Sequence, residues 1–212
     1  RDCADSQKPD GLMPTVAPGY PAFSGGFAYT PEWGAATVVL PWQLYEWYGD
    51  KEVLAARYPT MKRFVNYMRD TSKDLIPAPG LGDWYDYGHD KPRGAAQFTP
   101  VELTAMLTFF RCARIVADAA YVLNRNEDRE AYERLSADIA RAFNAKYFDG
   151  VDQYANHGSP QTANSMALAL GLVPAGLEQA VLERVIEDIR KRGNQQTSGD
   201  IGFWYLLQAL AQ

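Results

Sequence analysis

Thr99-Pro100-Val101-Glu102-Leu103-Thr104-Ala105-Met106-Leu107-Thr108-Phe109-Phe110-Arg111-Cys112-Ala113-Arg114-Ile115-Val116 is the stretch that decides how this chain folds. Proline near its start suits a first helical turn, where a missing N–H costs nothing. Leu103, Met106, Leu107, Phe109, Phe110, Ile115 and Val116 then cover nearly every face. The run is too long for a strand, so it predicts a helix to about Leu123 that is buried all round. Thr99 and Glu102 stand at capping-box spacing. The segment that follows, 127–147, has a different character. Tyr132, Leu135, Ile139, Phe143 and Tyr147 form a single stripe at helical intervals, the mark of a helix buried on one side only.

The same alternation continues in both directions. Upstream, Thr30-Pro31 opens a helix with Thr30 as its cap, and residues 33–48 are apolar nearly all round, with Pro41 expected to bend them. Gly49-Asp50 ends that helix and caps the next, 51–71, which carries one stripe: Leu54, Tyr58, Met61, Phe64, Val65 and Met68. Downstream, Ser159-Pro160 opens a short uncharged helix from Gln161 to Leu172, and residues 176–191 are striped by Val181, Leu182, Val185, Ile186 and Ile189. Ser198-Gly199-Asp200 leads into a last segment, apolar on most faces, from Ile201 to Leu210. No segment reads as a strand.

Fully buried helices alternating with half-buried ones are satisfied by two concentric layers. The expected fold class is therefore all-α, a partial (α/α)6 toroid forming a single incomplete domain over residues 1–212, with an open α-solenoid as the alternative. Both ends of the sequence fall within helical pattern, which gives the expectation of a piece of something larger. A partial toroid leaves apolar inner surface uncovered, so self-association is expected as well.

Antiparallel neighbours bring the starts of the inner helices to one rim. Trp33, the 80–88 loop, the 150–162 loop and Asn194–Asp200 are expected to meet there. The loop Gly80-Leu81-Gly82-Asp83-Trp84-Tyr85-Asp86-Tyr87-Gly88 sets two carboxylates among three aromatic rings, between Pro77, Pro79 and Pro92. Flat rings beside acceptor-rich carboxylates match what a sugar presents, C–H faces to stack on and hydroxyls to hold.

The composition narrows the function classes. A formal net charge of −5 argues against nucleic acid or an anionic membrane surface as partner. No apolar run is long enough to span a bilayer. Cys3 and Cys112 are far apart, and Cys112 reads as a buried thiol, which leaves the compartment open. His89 and His157, the only histidines, fall in loops and are expected to bond or face solvent rather than to hold a metal. No cofactor or metal motif is present.

Glycoside hydrolysis takes two carboxyl groups, about 6.5–9.5 Å apart when the configuration is inverted. The rim offers Glu32, Asp83, Asp86, Glu102 and Asp200. Glu102 is most simply a capping residue, and Asp200 and Glu32 suit first helical turns. Asp83 and Asp86 are the least explained locally, and holding a ligand suits them as well as proton transfer does.

Pro31-Glu32-Trp33-Gly34-Ala35-Ala36 followed by Leu40-Pro41-Trp42-Gln43-Leu44-Tyr45 resembles a segment of the bacterial α-L-rhamnosidases, glycoside hydrolase family 78. So do Gly82-Asp83-Trp84-Tyr85-Asp86, Gln161-Thr162-Ala163, Arg192-Gly193-Asn194 and Thr197-Ser198-Gly199-Asp200-Ile201-Gly202, in order from about Lys8 to the end. The resemblance implies an (α/α)6-barrel catalytic domain that releases terminal α-L-rhamnose with inversion and without a required metal. By position, Trp33 and Trp84 match aromatics lining the rhamnose pocket, and Asp83 a hydroxyl acceptor. Tyr85 and Asp86 join them as substrate-binding candidates. The departures count too. The family's general acid lies upstream of Arg1 and its general base beyond Gln212, so no catalytic residue is assigned and this piece is expected to be inactive alone. Many members also have Asp where this chain has Ala35. Two rivals remain at this stage, a non-catalytic glycan-binding module and a helical scaffold without a sugar site.

Overall fold

The computed structural model describes residues 2–19, 23–92, 94–155 and 158–211. His157 lies outside them. The described residues form helices α1 (Asp2–Ser6), α2 (Pro31–Gly34), α3 (Ala36–Tyr48), α4 (Lys51–Thr71), α5 (Val101–Val122), α6 (Asn126–Tyr147), α7 (Gln161–Ala169), α8 (Glu178–Lys191) and α9 (Gly202–Leu210). Extended pairing among them is confined to two isolated bridges, Lys73 with Ile76 and Phe148 with Tyr154. The fold class is all-α, as the periodicity predicts.

The chain divides into two compact units, one of residues 1–80 with 108–140 and the other of 81–107 with 141–212. In the first, α3 packs on α4, and the stripe of α4 is wholly buried from Leu54 through Met68. Gly49 ends α3 in the left-handed region at φ 69°, and the Asp50 carboxylate accepts from the Val53 amide at 2.9 Å. That cap was legible in the sequence. Tyr58, fully buried on α4, donates to Asp128 at 3.0 Å, and the Lys62 ammonium pairs with the same carboxylate. Tyr132 donates to Asn66 at 2.7 Å. Apolar burial sets how the stripe faces, and these bonds fix its register.

In the second unit α7 packs on α8 and α9. Gln161 through Leu168 are all buried, as expected of an inner helix, yet half of them are polar. The second unit meets most of that polar burden directly. Asn164 accepts from the Tyr154 amide at 2.8 Å and donates to the carbonyls of Asp152 and Val181. Gln161 donates to Asp188 at 2.9 Å and accepts from the Thr197 amide at 2.9 Å.

Four expectations need correction. Thr30 does not cap α2: its hydroxyl donates back to the Gly26 carbonyl, although Pro31 does take the first helical position. The Thr99 hydroxyl meets no partner among the described residues, so the capping box with Glu102 is not formed. The run 33–48, read as one helix, is divided at Ala35 between α2 and α3, and α3 continues through Pro41. Finally, α3 and α9 are apolar on most faces but not buried on all. Leu40, Leu44, Trp47 and Tyr48 on α3, and Phe203, Trp204, Leu207 and Leu210 on α9, are exposed. By contrast α5 is buried almost all round, from Leu103 to Ala120. Cys112 in its middle is a free thiol pushed up to about 12 by burial.

Candidate functional site

Three of the four segments expected to converge do so within the second unit. The Trp84 carbonyl accepts from the Asp200 amide at 2.8 Å, and the Tyr87 amide donates to the Thr197 carbonyl at 2.9 Å. Ser159, ahead of α7, bonds with Thr197 at 2.7 Å and donates to Asp188 at 2.8 Å. Trp33, the fourth, sits half-buried on α2 in the other unit, as does Glu32.

Asp83 organises this cluster. It is 1% exposed, and its two oxygens accept four hydrogen bonds. Oδ2 takes the Thr162 hydroxyl at 2.6 Å and the Gly199 amide at 2.9 Å; Oδ1 takes the amides of Ile201 at 3.2 Å and Gly202 at 2.7 Å. Gly202 opens α9, so a carboxylate from a distant loop caps that helix where its dipole favours negative charge. Burial pushes the carboxyl above its ordinary range, opposed by the bonds from Thr162, Gly199 and Gly202 and assisted by the charge of Asp86. Two glycines make the approach possible. A Cβ on Gly199 would overlap the Trp84 carbonyl oxygen, and one on Gly202 would overlap the Thr162 hydroxyl.

Asp86, 2% exposed, does the same at the other end of the loop. Its Oδ2 accepts from the amides of Gln97 at 2.7 Å and Phe98 at 2.8 Å, and Oδ1 lies 3.0 Å from His89 Nε2. His89 Nδ1 accepts from the Lys91 amide at 3.2 Å, so Nε2 carries the proton and donates to Asp86. Both ring nitrogens are engaged. Among the described residues no group of His, Cys, Asp and Glu is placed to hold a metal ion.

A carboxylate has about four lone-pair sites, and Asp83 uses all four internally. Asp86 uses three of its own on the loop. Through these bonds both carboxylates anchor the loop. The signal missed in the sequence was Thr162 and the Ser198–Gly202 turn, whose small residues and free amides have meaning only opposite Asp83.

What the anchors hold in place is Trp84-Tyr85. Tyr85 adopts φ 63°, unusual for a residue with a bulky side chain. Its amide donates to the Gly94 carbonyl at 2.8 Å, and its ring meets Trp84 edge to face at 5.5 Å between centroids. Gly94 packs close against the indole, where a Cβ would come within 3.1 Å of it. Trp84 is half-buried, while Tyr85 and Tyr87 are exposed. The arrangement is an aromatic ledge with a fixed backbone. Glu102 and Asp200 remain exposed at the starts of α5 and α9.

A family model described as the bacterial alpha-L-rhamnosidase 6 hairpin glycosidase domain matches residues 1–212. The chain belongs to that family. An alpha-L-rhamnosidase of Streptomyces avermitilis is 32% identical over 212 residues, which are 99% of this chain and 19% of the relative. The crystal structure of Streptomyces avermitilis alpha-L-rhamnosidase complexed with L-rhamnose superposes with a TM-score of 0.86 at 30% identity, covering 99% of this chain and 19% of that one. The alpha-L-rhamnosidase structure from Dictyoglumus thermophilum gives 0.89 at 29% identity, covering 99% and 23%. This rhamnosidase-domain chain thus spans about a fifth of the length of the relatives it matches. The six-hairpin architecture of the family agrees with the expected piece of an α/α toroid.

Proposed function

We propose that this chain is part of the catalytic domain of an inverting glycoside hydrolase that releases terminal α-L-rhamnose, contributing sugar contacts and not the acid/base pair. The observation that carries the reading is the Trp84-Tyr85 ledge, held at both ends by buried carboxylates in a chain that matches the rhamnosidase domain throughout. An exposed aromatic residue kept at positive φ is strain that the surrounding bonds must sustain, and such strain collects at ligand sites. A flat apolar face suits a 6-deoxy sugar, which offers a methyl group where other hexoses carry a hydroxymethyl. Trp84 and Tyr85 are the proposed sugar contacts. Asp83 and Asp86 position them.

In this reading the proton donor and the base come from outside the chain, because the buried loop carboxylates are committed to internal donors. Two measurements test it. L-Rhamnose is expected to perturb the tryptophan fluorescence of the wild-type chain, with the response lost in Trp84→Ala. An aryl α-L-rhamnoside is expected to be cleaved by the full-length protein, with β-L-rhamnose as the first product by NMR, and not by the 212-residue chain alone. A chain indifferent to rhamnose, or one that hydrolyses the aryl glycoside unaided, refutes the proposal. The commitment of Asp83 and Asp86 also favours a second reading, a non-catalytic carbohydrate-binding module. A full-length protein that binds rhamnose and never cleaves the glycoside decides for it.

A further inference from the structure

Arg192 opens one of the stretches that resemble rhamnosidases, Arg192-Gly193-Asn194, yet it bonds to neither Asp83 nor Asp86. It stands half-buried just past Lys191, the last residue of α8, and its guanidinium meets a different group in each direction. Nε donates to Asp188 Oδ2 at 2.9 Å, one turn back on the same helix. Nη2 donates to the Gly158 carbonyl at 2.7 Å, just ahead of α7. Cζ lies over the Phe98 ring, 5.1 Å from its centroid. Nη1 lies beside Gly88 at the end of the aromatic loop, where a Cβ would stand 3.6 Å from it.

Phe98 gives this grip its consequence. Its amide donates to Asp86 at 2.8 Å, so the place of Phe98 sets one anchor of the Trp84-Tyr85 ledge. Groups of the same unit hem in the Phe98 ring. His89, which donates to Asp86, meets it edge to face at 5.5 Å. A Cβ on Gly158 would come within 3.2 Å of it, and Gly158 is itself held by Arg192. The acceptor behind Arg192 is fixed as well: Asp188 Oδ2 also takes the Ser159 hydroxyl at 2.8 Å and the Gln161 amide group at 2.9 Å. Arginine suits such a place, because its fork donates in several directions while its plane rests on a ring. A lysine ammonium is a point charge on a flexible stem.

We propose that Arg192 is a positioning residue for the aromatic ledge, acting through Phe98 and Asp86 and touching no sugar itself. The inference rests on the reading of Trp84-Tyr85 as a rhamnose contact, and adds to it the group that sets the ledge in place.

The test follows two quantities on the 212-residue chain. One is L-rhamnose affinity by tryptophan fluorescence; the other is amide exchange at Gln97 and Phe98, the donors to Asp86. In Arg192→Met both are expected to change. Exchange at the two amides should be faster by about 10-fold, and rhamnose should bind about 2- to 30-fold more weakly, the range of a cation–ring contact. The Gly199 and Gly202 amides, which bond to Asp83, should keep their protection. If Arg192→Met loses that protection too, it has unfolded and Arg192→Lys decides. Arg192→Lys keeps the charge and is expected to bind as weakly as Arg192→Met. Phe98→Leu removes the ring from the other side, and adding Arg192→Met to it should cost little further affinity. Arg184→Met on the same helix loses a guanidinium bond to Gln153 and should leave both quantities as in the wild type.

The proposal is overturned if Arg192→Lys binds rhamnose as the wild type does, if the Arg192→Met and Phe98→Leu losses simply add, or if the variants lower thermal stability with affinity unchanged. Each of those outcomes leaves the sugar reading of the ledge standing. A wild-type chain indifferent to rhamnose removes that reading instead. Exchange at Gln97 and Phe98, with the Trp84 indole N–H signal in NMR, then decides for Arg192: a response of both to Arg192→Lys upholds its positioning role, and no response overturns it.

Discussion

Asp83→Asn probes the centre of the candidate site with a change of one atom. An amide accepts only through its oxygen, so one end of the new side chain must face donors with an NH2 group. The less costly orientation keeps the oxygen on the Ile201 and Gly202 amides and turns the NH2 toward Thr162 and Gly199. The Thr162 hydroxyl adjusts by donating to Ser198 Oγ, 2.9 Å away, and accepting from the amide. The Gly199 N–H has no such choice and is stranded. Losing a charge-assisted bond costs about 1.5–3 kcal/mol. The two retained bonds also weaken, since charged bonds are roughly twice as strong as neutral ones. Relief from burying a charge offsets part of this. The net expectation is a loss of about 2–4 kcal/mol. With a urea dependence of about 1–3 kcal/mol/M, the midpoint should fall by roughly 1–2 M. Amide exchange at Gly199 and Gly202 should speed up together. A variant within about 0.5 kcal/mol of wild type, with those two amides still protected, refutes the claim that Asp83 holds the ledge.

Gly199→Ala attacks the same lock from the other side. Its methyl has no room against the Trp84 and Asp83 carbonyls, and a severe loss of folded protein is expected by near-ultraviolet circular dichroism; a soluble, native-like variant counts against the packing described. In the first unit, Asp128 feels a burial effect that would raise it, but the hydrogen bonds from Lys62 and Tyr58 carry it below its ordinary range. A depressed folded value contributes stability above the unfolded pKa of about 3.9, lost as pH falls through the lower folded one. Asp128→Asn should therefore cost about 1 kcal/mol at neutral pH and flatten the acid limb of a stability–pH profile, while an unchanged acid limb refutes the pairing. The exposed apolar faces of α3 and α9 are expected to drive self-association. Light scattering should show concentration-dependent growth that Leu44→Glu or Leu207→Glu reduces, and a monomer at high concentration sinks the expectation.

The helices were largely legible from side-chain pattern. Lys51–Thr71 and Val101–Val122 follow from where apolar residues recur, because burial on one face or on all faces leaves a period in the sequence. Caps were less legible. Asp50 caps its helix as read, but Thr30 and Thr99 have the right residue type at the right spacing and spend their hydroxyls differently or not at all. A cap is one bond among several a hydroxyl can choose, and the choice depends on neighbours the local sequence does not name.

The sequence by itself determined that this chain is helical, that α4 is buried along one stripe while α5 is buried almost all round, and that Trp84 stands in a glycine-bounded aromatic loop resembling rhamnosidases. Only the tertiary structure decided which donors the carboxylates beside that indole meet. Asp83 is unexplained by its local sequence because its partners, Thr162 and the amides of Gly199, Ile201 and Gly202, lie far along the chain. Apolar periodicity is a local property, written every three or four residues. The satisfaction of a buried charge is not local, because its donors are gathered by folding and most of them are backbone amides that every residue type but proline supplies.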